Sequence, residues 1–376
     1  MISTIPITVL ALAGALLVAT LIPSYTRARN IPVILSIFWL CSTSICVAIN
    51  TAGWQDVADK WKPYCELAIR IVYGSAFGFQ CCSALLLRRL EAIAATRYVS
   101  LTKAANRRRM IIELGTGLVL PLLYVALAIV NQGHRYDVIE KFGPIISIYP
   151  SIVSVILSTA PILIASMVGT TYAILCSYWL FMRRRQLSAV LSSSGSGINT
   201  SQYVRLFGLS LIEILWTVPI NWTIQMQNLF NREQGGSMLY PYSWSDIHYN
   251  FGRVTLYTID ELQQTSVGRK NLPMLTLGSL SSAISCLLFF SFLGTTTDMS
   301  KDIIARFKKC WKALASRWSR KRSQPSLSDN CSQPPLTPRE EVKMKDLDDS
   351  RADDIQIEVL VERTYFEDRE RTATSL

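Results

Sequence analysis

The chain has 376 residues, half of them hydrophobic and only 17% charged, with a mean hydropathy of +0.26. A soluble protein carries about a quarter charged residues, so this composition excludes a string of soluble domains and points to a membrane protein. The net charge of +11 does not imply nucleic acid, because the basic residues sit beside the ends of apolar runs, where topology and anionic lipid account for them.

A transmembrane helix needs about 20 mostly apolar residues. Seven segments qualify: Ile5–Ser24, Ile31–Asn50, Cys65–Leu87, Ile111–Asn131, Ile152–Phe181, Leu206–Gln227 and Leu272–Gly294. The first has no basic residues before it, and Arg27 and Arg29 follow it. That order retains its far end in the cytosol and sends the amino terminus out, which a cleaved signal peptide would not do. The third span carries Glu66 and Arg70, the fourth Glu113 and the sixth Glu213.

Loop charge supports the count of seven. Alternate loops, with the start of the tail, hold about 22 basic residues against 8 in the other set. The rich set includes Arg88 and Arg89 after the third span and Arg183, Arg184 and Arg185 after the fifth. The rich side is cytosolic, and an even number of spans would put the basic tail on the wrong side.

The expected fold is therefore an all-α membrane protein, a seven-transmembrane helix bundle with a disordered cytoplasmic tail. Residues 1–298 form the bundle. Within 299–322, Ile303, Ile304, Phe307, Trp311, Leu314 and Trp318 recur at helical spacing among lysines and arginines, as in an amphipathic helix on the inner leaflet, with Cys310 placed for acylation. Residues 323–376 are rich in Ser, Pro, Asp and Glu and are expected to be disordered.

Two histidines and nine scattered cysteines suit neither a metal cluster nor a disulfide framework. Cys65 is expected to be a free thiol, and no cofactor is implied. The last span holds no lysine for a retinal Schiff base, and both histidines, His134 and His248, fall in outer loops, away from intramembrane hydrolase chemistry. A receptor remains, with a transporter of a small amphipathic solute as the alternative; the two halves of the chain show no repeat that would favour the latter.

Local strings narrow the class. Tyr25-Thr-Arg-Ala-Arg-Asn30, Gly74 and Gly78 followed by Leu87-Arg-Arg-Leu90, and Gln132-Gly-His-Arg-Tyr-Asp-Val-Ile-Glu140 come first. Arg183-Arg-Arg-Gln-Leu187 with Tyr203-Val-Arg-Leu206, and Pro241-Tyr-Ser-Trp-Ser-Asp-Ile-His248 with Phe251-Gly-Arg253, follow in order. Together they resemble the fungal receptors for lipidated, a-factor-type mating pheromones, the class D G-protein-coupled receptors. The resemblance implies a plasma-membrane receptor that is not an enzyme. Its implied partners are a farnesylated peptide pheromone, a heterotrimeric G protein and the lipid bilayer. The chain departs from the family pattern at Gly143-Pro144, where a cysteine is common, at Glu66, where Asp is, and at Lys270, where an aromatic residue is.

Candidate ligand residues are Glu66, Arg70, Trp61, His134, Arg135, Tyr136, Asp137, Trp216, Asn221, Trp244 and His248. Glu66 and Arg70 share one helix face, and either anchor a peptide or neutralise each other within the bundle. The aromatic residues either receive a prenyl chain or form the interfacial belt of any membrane protein. His134 to Asp137 either touch ligand or fold their loop. Trp216 and Asn221 flank Pro219, where a kink or plain packing is expected. Arg88, Arg89, Arg183, Arg184 and Arg185 are the G-protein candidates, and Glu213 either latches onto Arg88 or Arg89 or stays neutral in the bundle.

Overall fold

The computed structural model describes residues 4–95, 103–193, 208, 212, 215–216, 218–230 and 242–294, all within one compact unit, Met1–Trp311. Glu213 and much of the first half of the sixth segment, the basic helix with Cys310 and the tail lie outside the described residues, as do the side chains of Arg183, Arg184 and Arg185.

The frame is mostly helical. Six helices are long and apolar enough to cross a membrane: Ile5–Arg27, Ile31–Gly53, Lys62–Ala92, Ala104–Val130, Ile152–Met182 and Gly268–Leu293. They are called here the first to fifth helices and the last helix. A further helix, Val218–Phe230, falls where the sixth segment ends. The third helix packs most extensively on the fifth, and the first lies between the second and the last. One apolar core joins them, running through Val18 and Leu21, Val33 and Ile37, Leu86 and Leu87, Ala173 and Cys176, then Cys286 and Phe289. Lipid-facing side chains such as Leu16, Ile164 and Phe181 are left exposed, as a bundle in hydrocarbon requires.

Proline shapes the fourth and fifth helices. Pro121 has no N–H to offer the carbonyl four residues back, that of Gly117, and the helix widens into a π-turn over Gly115–Val119. The freed carbonyl accepts from the Trp39 indole N–H at 2.9 Å and from Cys82 Sγ at 3.6 Å, which ties the second, third and fourth helices together. Gly78 lets this happen: a Cβ there would lie 2.5 Å from the Trp39 ring. A second π-turn, Val155–Thr159, precedes Pro161 in the fifth helix, and the Ser158 carbonyl accepts from the Tyr124 hydroxyl at 2.9 Å.

The loops at one end of the bundle depart from the all-α expectation. They form a three-stranded sheet: β1, Gln132–Ile139, pairs antiparallel with β2, Gly143–Ile148, and parallel with β3, Val254–Tyr257. β1 buries Tyr136 and Val138 on one face against Trp54, Cys65 and Ile69, an alternation of period two that suits a strand. The β1–β2 turn docks on the second helix, where Lys141 N–H donates to the Trp54 carbonyl at 2.7 Å. Gly143 closes that turn at φ +76°, and a Cβ there would meet Asn50 at 2.9 Å, so both conformation and space demand glycine. Cys65 is free, and its Sγ donates to the Lys60 carbonyl at 3.1 Å.

Candidate functional site

A cavity of about 1110 Å³ opens inside the bundle, just above the roughly 300–1,000 Å³ typical of ligand sites. Strand β2 with Ile139 and Phe142 lines it at the sheet end. The second, third, fourth, fifth and last helices and the Val218–Phe230 helix supply most of the remaining lining, with Asp137 of β1, Leu256 and Tyr257 of β3, and Glu261 and Leu262 just after it. The lining is mainly apolar. Its polar members include five carboxamides, Asn50, Gln80, Asn221, Gln225 and Asn271, and its charged members are two acids, Asp137 and Glu261.

One wall is held by a polar knot. Tyr73 and Tyr124 stack with ring centroids 4.5 Å apart. The Tyr73 hydroxyl donates to Ser158 Oγ at 2.7 Å, and the Asn131 amide donates to the same oxygen. With the Tyr124 bond to the Ser158 carbonyl, three helices are pinned where a ligand would press on them. Tyr124, Asn131 and Ser158 are buried and Tyr73 partly so, and their shared bonds brace this wall, although Asn131 Oδ1 has no partner among the described residues.

Of the sequence candidates, Asp137, Trp216 and Asn221 line this cavity. His134 stands behind Asp137, with Nε2 2.6 Å from Asp137 Oδ1 and Nδ1 3.1 Å from Ser147 Oγ. Thr255 Oγ1 on β3 lies 3.1 Å from the same Nε2, so the imidazole joins all three strands. Tyr136 is fully buried and donates to Asp59 Oδ1 at 2.8 Å; burial pushes its phenol pKa up, which keeps it a neutral donor. The string His134–Asp137 thus holds the sheet together and aims one carboxylate at the cavity.

Glu66 and Arg70 do not neutralise each other. Arg70 donates to the Glu66 backbone carbonyl at 3.1 Å, while the Glu66 carboxylate takes Arg135 Nε at 2.6 Å and a second guanidinium N–H. The strand places Arg135 over the third helix, and its forked head outcompetes a neighbour on the same helix. The pair fastens the sheet to the third helix, half-exposed, so its contribution to stability is small.

Trp61 and Trp244 are exposed at the sheet end. Trp61 stands edge-on to buried Trp54 at 5.6 Å, and Trp244 packs its ring 3.8 Å from that of His248. His248 Nε2 lies 3.0 Å from the Ile129 carbonyl, closing the loop onto the fourth helix. None of these three lines the cavity.

At the opposite end, Arg88 is exposed while Arg89 is committed elsewhere. Arg89 Nε donates to Glu113 Oε1 at 2.7 Å, a second guanidinium N–H donates to Oε2, and a third donates to Asn30 Oδ1 at 2.6 Å. Arg109 Nε lies 3.2 Å from Glu113 Oε1, close enough to attract but outside hydrogen-bonding geometry. Sequence reasoning weighs Glu213 as a latch on Arg88 or Arg89 or as a neutral group, and does not match Arg89 with Glu113, which the fourth helix carries to it.

The cavity residues that sequence reasoning misses are Thr43, Tyr73, Gln80, Tyr124, Gln225 and Asn271. A polar residue inside an otherwise apolar span faces the bundle interior, which is the signal that could have found them.

The helices define a multi-pass membrane protein with a large internal cavity. The chain belongs to the STE3 pheromone A receptor family, which it matches over residues 6–314. It is therefore a receptor of the pheromone response and no enzyme. It is 32% identical over 299 residues to pheromone receptor 2 of Mycosarcoma maydis, covering 79% of this chain and 82% of that one. Pheromone receptor 1 of Ustilago hordei is 32% identical, covering 76% of this chain and 77% of its own. Pheromone receptor 1 of Mycosarcoma maydis is 31% identical, covering 81% and 82%.

Proposed function

We propose that this chain is a seven-span G-protein-coupled receptor of the plasma membrane that binds a farnesylated peptide pheromone and activates a heterotrimeric G protein. The bundle occupies 1–298, a basic helix on the inner leaflet 299–322 and a cytosolic tail 323–376. The observation that carries the proposal is the large, mainly apolar cavity, roofed by strands, in a chain of this family. A prenyl chain needs apolar wall, and the carboxamides and Asp137 suit the peptide attached to it. The sheet end faces outward and the arginine-rich end faces the cytosol, in line with the charge asymmetry.

Within that frame, Asp137, Trp216 and Asn221 contact the ligand. Glu66, Arg70, Trp61, His134, Arg135, Tyr136, Trp244 and His248 shape the entrance. The test is a G-protein readout in a heterologous cell against a panel of synthetic peptides ending in S-farnesylcysteine. A dose-dependent response to one of them is expected. Silence toward every peptide, with solute flux in liposomes, would establish the transporter alternative instead.

The arginines Arg183, Arg184 and Arg185, with Arg88, are assigned to the G protein. Lysine at all three positions preserves charge and so preserves orientation, but lacks the planar fork that pairs with carboxylates and carbonyls. The triple lysine variant is expected to reach the surface and bind peptide normally while G-protein activation drops clearly. Wild-type signalling from that variant would reduce these arginines to topology alone.

A further inference from the structure

The Gln80 side chain finds no hydrogen-bond partner among the described residues. It lies midway along the third helix, lines the cavity and is 1% exposed. Neither its amide nitrogen nor its carbonyl oxygen has a hydrogen-bond partner, and less than 1 Å² of either atom is open to solvent. A membrane bundle normally satisfies every such group, because hydrocarbon offers no substitute. Hydroxyls on the same lining direct their protons elsewhere: Thr43 toward the Trp39 carbonyl or Ser75 Oγ, Ser75 to the Val72 carbonyl, and Ser282 to the Ser279 carbonyl.

Depth says what could reach it. The neighbouring Phe79, together with Trp216 and Ser285, borders both the large cavity and a small pocket beyond it, so these residues form the floor. Gln80 lies at that floor, in reach of whatever penetrates furthest. A carboxamide offers donors and an acceptor side by side. An extended peptide residue presents N–H and C=O with matching spacing, whereas a prenyl chain presents neither. Among the described residues, the lining near the floor carries no charge that would draw a charged group instead.

We propose that Gln80 is a specificity-determining residue that pairs through both amide atoms with one main-chain residue of the peptide at the cavity floor. This assignment rests on the pheromone reading above. Because both atoms are covered in the empty bundle, the side chain rotates into the cavity as the peptide arrives. Its orphaned state before binding and its paired state afterwards make the contact a source of selectivity: an occupant without a main chain leaves the amide unsatisfied.

Gln80→Leu keeps the volume and removes both polar atoms. The ligand-free variant, purified in detergent, is expected to melt at or above the wild-type temperature, because a group that was unsatisfied has been removed. Potency of the most active S-farnesylcysteine peptide of the panel should nevertheless fall about tenfold or more. N-methylation of that peptide, one backbone nitrogen at a time, locates the partner. At one position it should weaken wild type by a similar factor and do nothing further in Gln80→Leu, the signature of a coupled pair in a double-mutant cycle. A lower melting temperature with unchanged potency would mean that Gln80 is a structural or water-held amide, and would overturn the assignment. Additive losses at every N-methyl position would overturn it as well. Silence of wild type toward the whole panel sinks the pheromone reading and this inference together. A responsive wild type matched by Gln80→Leu sinks the inference alone.

Discussion

Glu113→Ala is expected to lose about 3–5 kcal/mol of stability, the usual consequence of orphaning a buried charge. The Glu113 side chain is 5% exposed and that of Arg89 14%. Glu113 is the sole carboxylate on the Arg89 guanidinium among the described residues, with Asn30 as the third point of contact. Taking it away leaves Arg89, tethered in the bundle, and draws nothing in return from Arg109, which loses its nearest anion too. Arg89 sits near the end of the third helix, and Glu113 holds it against the fourth, so the damage spreads across a helix contact. Surface delivery and the melting temperature of the solubilised receptor should both fall sharply. Replacing both partners with leucine should recover much of the loss, because the charge and its counter-charge leave together. An E113A receptor that melts like wild type would show that water already reaches Arg89.

The second large effect belongs to Gly78→Val. The first new carbon would lie 2.5 Å from Cε2 and 2.6 Å from Nε1 of the Trp39 indole, which is 4% exposed and pinned by its N–H bond to the Gly117 carbonyl. A flexible side chain could step aside, but an indole fixed at its nitrogen can move only by giving up that bond. Overpacking with the lost hydrogen bond should cost about 2–4 kcal/mol. Gly115→Ala is the control: it lies in the same π-turn as Gly117, and nothing stands within 4 Å of its added carbon. Thermal unfolding of the two variants side by side separates a close approach from a general intolerance of side chains. Equal melting temperatures would contradict the packing at Trp39.

The long apolar runs and their flanking arginines were readable because bilayer thickness and the retention of positive charge act on local sequence. The first helix, Ile5–Arg27, and the second, Ile31–Gly53, lie close to where hydropathy alone sets them. The sheet was not readable in that way. In β1 the alternation covers only Tyr136 and Val138 before polar residues blur it, and β3 joins it from more than a hundred residues downstream. Ion pairs were misread for the same reason. Glu66 has Arg70 within one turn of helix, and sequence spacing favours that pair, yet a strand delivers Arg135 with a better-directed fork. Likewise Arg89 finds Glu113, which helix spacing does not reveal as its partner. The cavity was legible only in part: Trp216 and Asn221 stood out beside Pro219, while Tyr73, Gln80 and Tyr124 look like ordinary members of apolar spans until the packing faces them inward.

The central claim is that the roofed cavity receives the peptide, and photolabelling tests it most directly. An active S-farnesylcysteine peptide carrying a diazirine in the prenyl chain would be bound to the receptor in lipid nanodiscs, irradiated and mapped by mass spectrometry. Labelling is expected on cavity residues such as Tyr73, Tyr124, Ile162 and Met274, and should disappear when unlabelled peptide competes. Labelling confined to lipid-facing residues such as Leu16, Ile164 and Phe181, and indifferent to competitor, would contradict the account.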